Sequence, residues 1–275
     1  MTGLRYVYAV CRPFGTPLQA ELTGVGGAPA ALLHHHDLIA VVSTVPEADF
    51  REEALKAHLE DLDWLAATAR AHQGVIDALT TVTTPLPLRL ATVFRDDSGL
   101  RTMIEAREDD FLRILDRLEG RVEWGVKVYM EPVPVQSAAP PARPASGRDY
   151  LRRRRADTRA HEEGLRAAEA FAQSLHKRLC GYAEDCRLHP PQNSALSGAA
   201  GLNVLNAAYL VSRALSEEFV EMVDRTKDEV AGVRVELTGP WAAYSFSGET
   251  PDEDSDGASP EKPVADMREE AGQER

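Results

Sequence analysis

Arg121-Val122-Glu123-Trp124-Gly125-Val126-Lys127-Val128-Tyr129-Met130 alternates cleanly between apolar and polar residues. Val122, Trp124, Val126, Val128 and Met130 point to one side, and Arg121, Glu123, Lys127 and Tyr129 to the other. Successive side chains of a strand face opposite ways, so this period-2 pattern marks a strand with one buried face. Gly120 stands just before it, where a left-handed residue commonly closes a helix.

Toward the C-terminus the periodicity predicts a helix over 149–179 closed by Gly181, a short strand over 186–189 and a strand over 202–211. A helix over 215–230 closed by Gly232 and a strand over 233–237 follow. With the Arg121 strand in front, the order is βαββαβ, the ferredoxin-like arrangement. It predicts one antiparallel sheet with both helices on a single face. Val233, Val235 and Leu237 then share the buried face with Trp124 and Val128, leaving Arg234, Glu236, Arg121 and Glu123 on the open face. The proline-rich stretch 132–147 lacks apolar periodicity and reads as a loop inside this domain.

Toward the N-terminus, Leu4 to Val10 is β-branched and aromatic and stops at Pro13 and Gly15, as an opening strand would. Leu38 to Val42 repeats the pattern. Leu55, Leu59, Leu62, Ala66, Ala69, Ile76 and Leu79 fall on a helical repeat, so 50–79 reads as one long helix or two shorter ones. An extended segment over 82–94 carries Pro85 and Pro87, which confine it to a sheet edge or bulge. A helix from about Asp97 through Leu118 closes the unit. The chain therefore reads as α+β with an N-terminal domain over 1–119, a ferredoxin-like domain over 120–247 and a tail over 248–275.

The tail holds ten acids against three bases, so of the formal net charge of −13 it carries −7 and the rest of the chain −6. With no apolar periodicity, this acidic tail is expected to be disordered. An acidic chain lacks the basic footprint that nucleic acid requires, and no apolar run is long enough to span a membrane. Cys11, Cys180 and Cys186 are too few for a disulfide framework, and no signal peptide precedes them. They read as free thiols in a cytoplasmic protein, although Cys180 and Cys186 are near enough in sequence to pair.

His34, His35 and His36 are potential metal ligands, but consecutive side chains diverge on an extended loop, so they read as an exposed loop before the next strand. Gly24-Val25-Gly26-Gly27 lacks the spacing of a dinucleotide fingerprint. The run Arg152 to Arg155 spreads around a helix start and reads as solvated. No phosphate-binding loop, nucleophile elbow or marked carboxylate pair emerges, so neither a cofactor, a metal nor a catalytic residue is expected. Trp241, Tyr244 and Phe246 follow the last strand outside any regular element, and are the candidate partner-contact residues. An enzyme or ligand-binding module using the second sheet is the alternative.

Several segments, in order, resemble the gas vesicle protein GvpL/GvpF family. They are Tyr6-Val7-Tyr8-Ala9-Val10, His36 to Ser43, Pro87-Leu88-Arg89, Gly120 to Val128, Leu237-Thr238-Gly239-Pro240-Trp241 and Tyr244-Ser245-Phe246. Leu90-Ala91 stand where that family tends to have an aromatic followed by glycine, and Ala242-Ala243 where it tends to have prolines. The resemblance implies a non-catalytic accessory or minor component of gas vesicles. It also implies association with the small hydrophobic shell protein GvpA and with other accessory proteins during assembly.

Overall fold

The computed structural model describes residues 3–16, 18, 22–131, 147–192 and 201–248. The proline-rich loop read over 132–147, apart from Gly147, and the acidic tail from Glu249 onward lie outside the described residues.

The N-terminal sheet is antiparallel, in the order β2-β3-β1-β4. It comprises β1 (Gly3–Cys11), β2 (Ala31–His35), β3 (Leu38–Pro46) and β4 (Leu86–Pro87), with β5 (Val93–Phe94) also pairing to β1. β1 is buried almost throughout because helices cover both sides of the sheet. A register shift between Val7 and Ala9 makes Tyr8 an extra residue. Tyr6, Tyr8 and Ala9 consequently join one core layer, while Val7 and Val10 join the opposite one.

The first layer is closed by α1 (Glu47–Phe50) and α3 (Leu62–Thr80), through Phe50, Val75, Ile76 and Leu79, with the partly buried Leu55 of α2 (Glu52–Leu59) at its margin. Asp61 caps α3, its carboxylate accepting from the N–H groups of Asp63 and Trp64 at 3.0 and 3.2 Å. The long helical repeat is thus broken before Leu62. The second layer is closed by α4 (Asp97–Ala106) and α5 (Glu108–Leu118), through Leu100, Ile104, Phe111, Leu115 and Leu118. Here too the helix read as continuous is interrupted, at Arg107.

The C-terminal sheet consists of β6 (Arg121–Met130), β7 (Asp185–Leu188), β8 (Leu202–Ser212) and β9 (Val233–Trp241), in the order β7-β8-β6-β9 and antiparallel throughout. With α6 (Gly147–Cys180) and α7 (Ser216–Thr226), its chain order is βαββαβ. Trp124, Val126 and Val128 pack with Leu175 and Leu179 of α6 and Phe219 and Val223 of α7, so both helices bury the same face. The mixed α+β architecture expected from the sequence is present.

Three expectations need correction. The histidines are not a pre-strand loop: His34 and His35 end β2, and His36, at φ 48°, makes the hairpin turn into β3. Cys180 and Cys186 are joined as a disulfide with Cα atoms 6.0 Å apart, because the turn at Gly181 brings β7 back beside the end of α6. Cys11 is a buried free thiol, and burial pushes it up to about 12. Lastly, the open face of the second sheet is only partly open. Ala208 and Leu210 of β8 pack into the core layer of α4 and α5, and Glu123, beside Leu210 in the ladder, is buried.

Candidate functional site

The segment after β9 folds back over the N-terminal layers. Gly239, at φ 121°, turns the chain so closely that a Cβ there would lie 2.8 Å from the carbonyl oxygen of Glu123. Ala242 enters the tyrosine-rich core layer, and Ala243 and Phe246 enter the layer of α4 and α5. The three aromatics proposed as contacts therefore separate. Phe246 is 0% exposed, a core residue under the Arg187 guanidinium, which stands 5.3 Å from its ring centroid. Tyr244 is half-buried beside His72, and desolvation pushes its hydroxyl pKa up. Trp241 remains 42% exposed and is the member presented to solvent.

Ser245 lies between Tyr244 and Phe246 and is held by Glu123, whose two carboxylate oxygens both accept from it. Burial raises the Glu123 pKa, while the Ser245 donors and the charge of Arg187 pull it down. Glu123 therefore fastens the returning segment to the second sheet.

Behind that segment lies a buried polar cluster. The Tyr6 hydroxyl accepts from the Ala91 N–H at 3.0 Å and lies 3.0 Å from His72 Nδ1. Desolvation lowers His72 to about 4, so the ring is neutral at physiological pH and its Nδ1 accepts a hydrogen bond from the Tyr6 hydroxyl. The Tyr8 hydroxyl accepts from the Val25 N–H at 2.8 Å and donates to Ser43 at 2.9 Å. A Cβ on Gly24 would overlap that hydroxyl, so part of the glycine-rich stretch exists to let the backbone approach. Ala91 sits at φ 62°, a conformation glycine adopts without strain.

Two groups of potential metal ligands converge among the described residues: His176, Cys180 and Cys186, and His35, His36 and Glu108. The two sulfurs of the first group are bonded to each other, and His176 Nδ1 lies 2.8 Å from the Tyr209 hydroxyl. In the second, His36 Nδ1 meets Glu108 at 3.0 Å, which raises the His36 pKa and ties the hairpin tip to α5.

A cleft of about 690 Å³ opens where the two halves meet. Its N-terminal wall includes Leu88 and Phe94 near the sheet edge and Met103 and Phe111 on the helices. Its other wall is Arg187 of β7 with Tyr244, Ser245, Ser247 and Gly248. Arg89 and Arg107 also line it. The sequence reading missed this convergence because the three arginines lie on separate elements; only Arg89 fell in a segment singled out beforehand.

The family model described as gas vesicle synthesis protein GvpL/GvpF matches residues 4–248. Gas vesicle protein L of Streptomyces sp. (strain CB03234) is 57% identical over 249 residues, covering 89% of this chain and 93% of the relative. Gas vesicle protein F of the same strain is 25% identical over 254 residues, covering 88% of this chain and 98% of the relative. The crystal structure of GvpF from Anabaena sp. PCC7120 superposes with a TM-score of 0.63 at 15% identity, covering 90% of this chain and 97% of that one. GvpF from Microcystis aeruginosa gives 0.61 at 19% identity, covering 90% of this chain and 100% of that one. These two likenesses concern the fold. Among the described residues no helix is long and apolar enough to cross a membrane. By the match over nearly its whole length, the chain belongs to the GvpL/GvpF family of gas vesicle synthesis proteins.

Proposed function

We propose that the protein is a non-catalytic accessory factor that binds the shell protein GvpA, and other accessory proteins, while gas vesicles are assembled in the cytoplasm. The observation that carries this reading is the family match across residues 4–248. A subunit that polymerises into a hydrophobic shell must keep an apolar face out of water until it is incorporated, and a partner that covers that face prevents premature aggregation. Trp241 supports the location of the contact. It is a large aromatic, 42% exposed, at the end of β9. Such residues supply much of the binding energy at protein interfaces.

The test is capture of GvpA by the full chain, with and without Trp241→Ala, alongside the soluble fraction of GvpA on co-expression. The expected result is capture and higher solubility with wild type, and loss of capture with the folded variant. No capture and no change in solubility by wild type would overturn the reading. Phe246→Ala does not belong in this test, because Phe246 is a core residue.

A further inference from the structure

The arginines of the cleft are set apart from most of the other described arginines. Arg12, Arg113, Arg117, Arg121, Arg178 and Arg225 all meet carboxylates within ion-pair distance. Arg89, Arg107 and Arg187 make no ion pair and no side-chain hydrogen bond among the described residues. Arg107 lies over the Phe111 ring, 4.9 Å from its centroid, and Arg187 over that of Phe246. One terminal nitrogen of Arg187 is buried without a hydrogen-bond partner. The Arg187 charge acts on buried Glu123 without a hydrogen bond between them, and a buried donor left unmade costs roughly 1–3 kcal/mol, so this nitrogen at the wall of a cleft is prepared for an acceptor from elsewhere. Its fellows come from different elements: Arg89 from the connection between β4 and β5, Arg107 from the α4–α5 junction.

We infer that this cleft is a docking site for an acidic segment of a partner polypeptide, with its carboxylates on Arg89, Arg107 and Arg187 and its apolar side chains on Leu88, Phe94, Met103 and Phe111. Charge complementarity selects an anionic ligand, and guanidinium forks match carboxylate geometry in particular. The distribution of the charges selects a polypeptide. Three guanidiniums on three elements, with apolar side chains among them, fit a chain that alternates acidic and apolar residues. A compact anion such as phosphate would leave the apolar part of the cleft in water. That the partner is a gas vesicle protein rests on the functional reading above; the charge site itself does not.

The test uses the full chain and a fluorescein-labelled short peptide of alternating glutamate and leucine, with its lysine-leucine counterpart and inorganic phosphate as controls. Fluorescence anisotropy is expected to report binding of the glutamate peptide alone. Affinity should fall with added salt, and by about tenfold for each arginine replaced. Arg187→Ala also removes packing on Phe246, and Arg107→Ala would remove it on Phe111, so Arg89→Ala/Arg107→Gln, at two exposed positions and with an aliphatic stem kept over Phe111, is the variant used, its fold checked by its melting curve. Equal binding by wild type and that variant overturns the proposal, as does phosphate binding without peptide binding. The same variant in the GvpA capture experiment separates the two readings. Undiminished GvpA capture by a variant that no longer binds the glutamate peptide leaves the function standing and overturns the cleft as the contact with GvpA. Peptide binding through the arginines by a wild type that captures no gas vesicle protein leaves the site standing and overturns the function.

Discussion

Glu123 and Ser245, 122 residues apart in sequence, are joined by two hydrogen bonds: the Ser245 N–H donates to Oε2 at 2.8 Å and its hydroxyl to Oε1 at 2.7 Å. Ser245→Ala removes one donor from a buried carboxylate and should cost about 1–3 kcal/mol at neutral pH. The lost bond favours the ionised form, so the penalty should shrink as pH falls through the Glu123 pKa, which burial has raised. Thermal melts of wild type and variant at neutral and mildly acidic pH measure this. An equal penalty at both would mean that Glu123 is already protonated at neutral pH.

His72 makes the fold acid-sensitive. Its folded pKa is about 4 against an ordinary 6.5, so between those values the unfolded chain binds the extra proton. This group therefore contributes full stability above about 6.5, loses it as pH falls toward 4, and loses roughly 3 kcal/mol in all. His72→Phe should be less stable than wild type at neutral pH, because Tyr6 loses its acceptor, yet should show a flatter decline on acidification. Denaturant midpoints across that pH range check it, and parallel declines would assign the acid sensitivity to other groups.

Two backbone positions predict opposite signs. Ala91 holds φ 62°, so Ala91→Gly should stabilise the fold by up to about 1 kcal/mol, with the Tyr6 hydrogen bond retained. Gly239 holds φ 121° against the Glu123 carbonyl and the Trp124 ring, so Gly239→Ala should destabilise by about 2 kcal/mol or more. Chemical denaturation of both variants decides, and a loss with Ala91→Gly would mean that the methyl group packs usefully.

Trp241 and Phe246 should also divide. Phe246→Ala empties a fully buried aromatic site and should cost about 3–5 kcal/mol, whereas Trp241→Ala should cost far less and act on partner capture. Melting curves beside the GvpA capture experiment separate the two effects. A severe stability loss with Trp241→Ala would place that side chain in the fold's core energetics.

The second sheet was legible because β6 is apolar on one face and polar on the other, and its alternation survives in Val122, Trp124, Val126 and Val128. β1 gave a weaker pattern because both its faces are buried and the bulge at Tyr8 shifts the alternation midway. β2 was missed. Its His34 and His35 look like loop residues, and only pairing with Leu38 and Ile39 makes them strand. The fate of Glu123 was not legible at all, since a carboxylate on an alternating strand reads as solvent-facing until a segment 122 residues later is known to cover it. The cleft shares that difficulty, because nothing local marks Arg107 and Arg187 as neighbours.

The return of residues 242–246 onto the N-terminal layers sets an order on synthesis. Ala242, Ala243 and Phe246 complete cores begun by Tyr6 and Val7, so on the ribosome the first strand made waits for one of the last folded segments. Domains generally form as units in the order they emerge. Here the first unit emerges unfinished, and its core closes only when nearly the whole described chain has been translated.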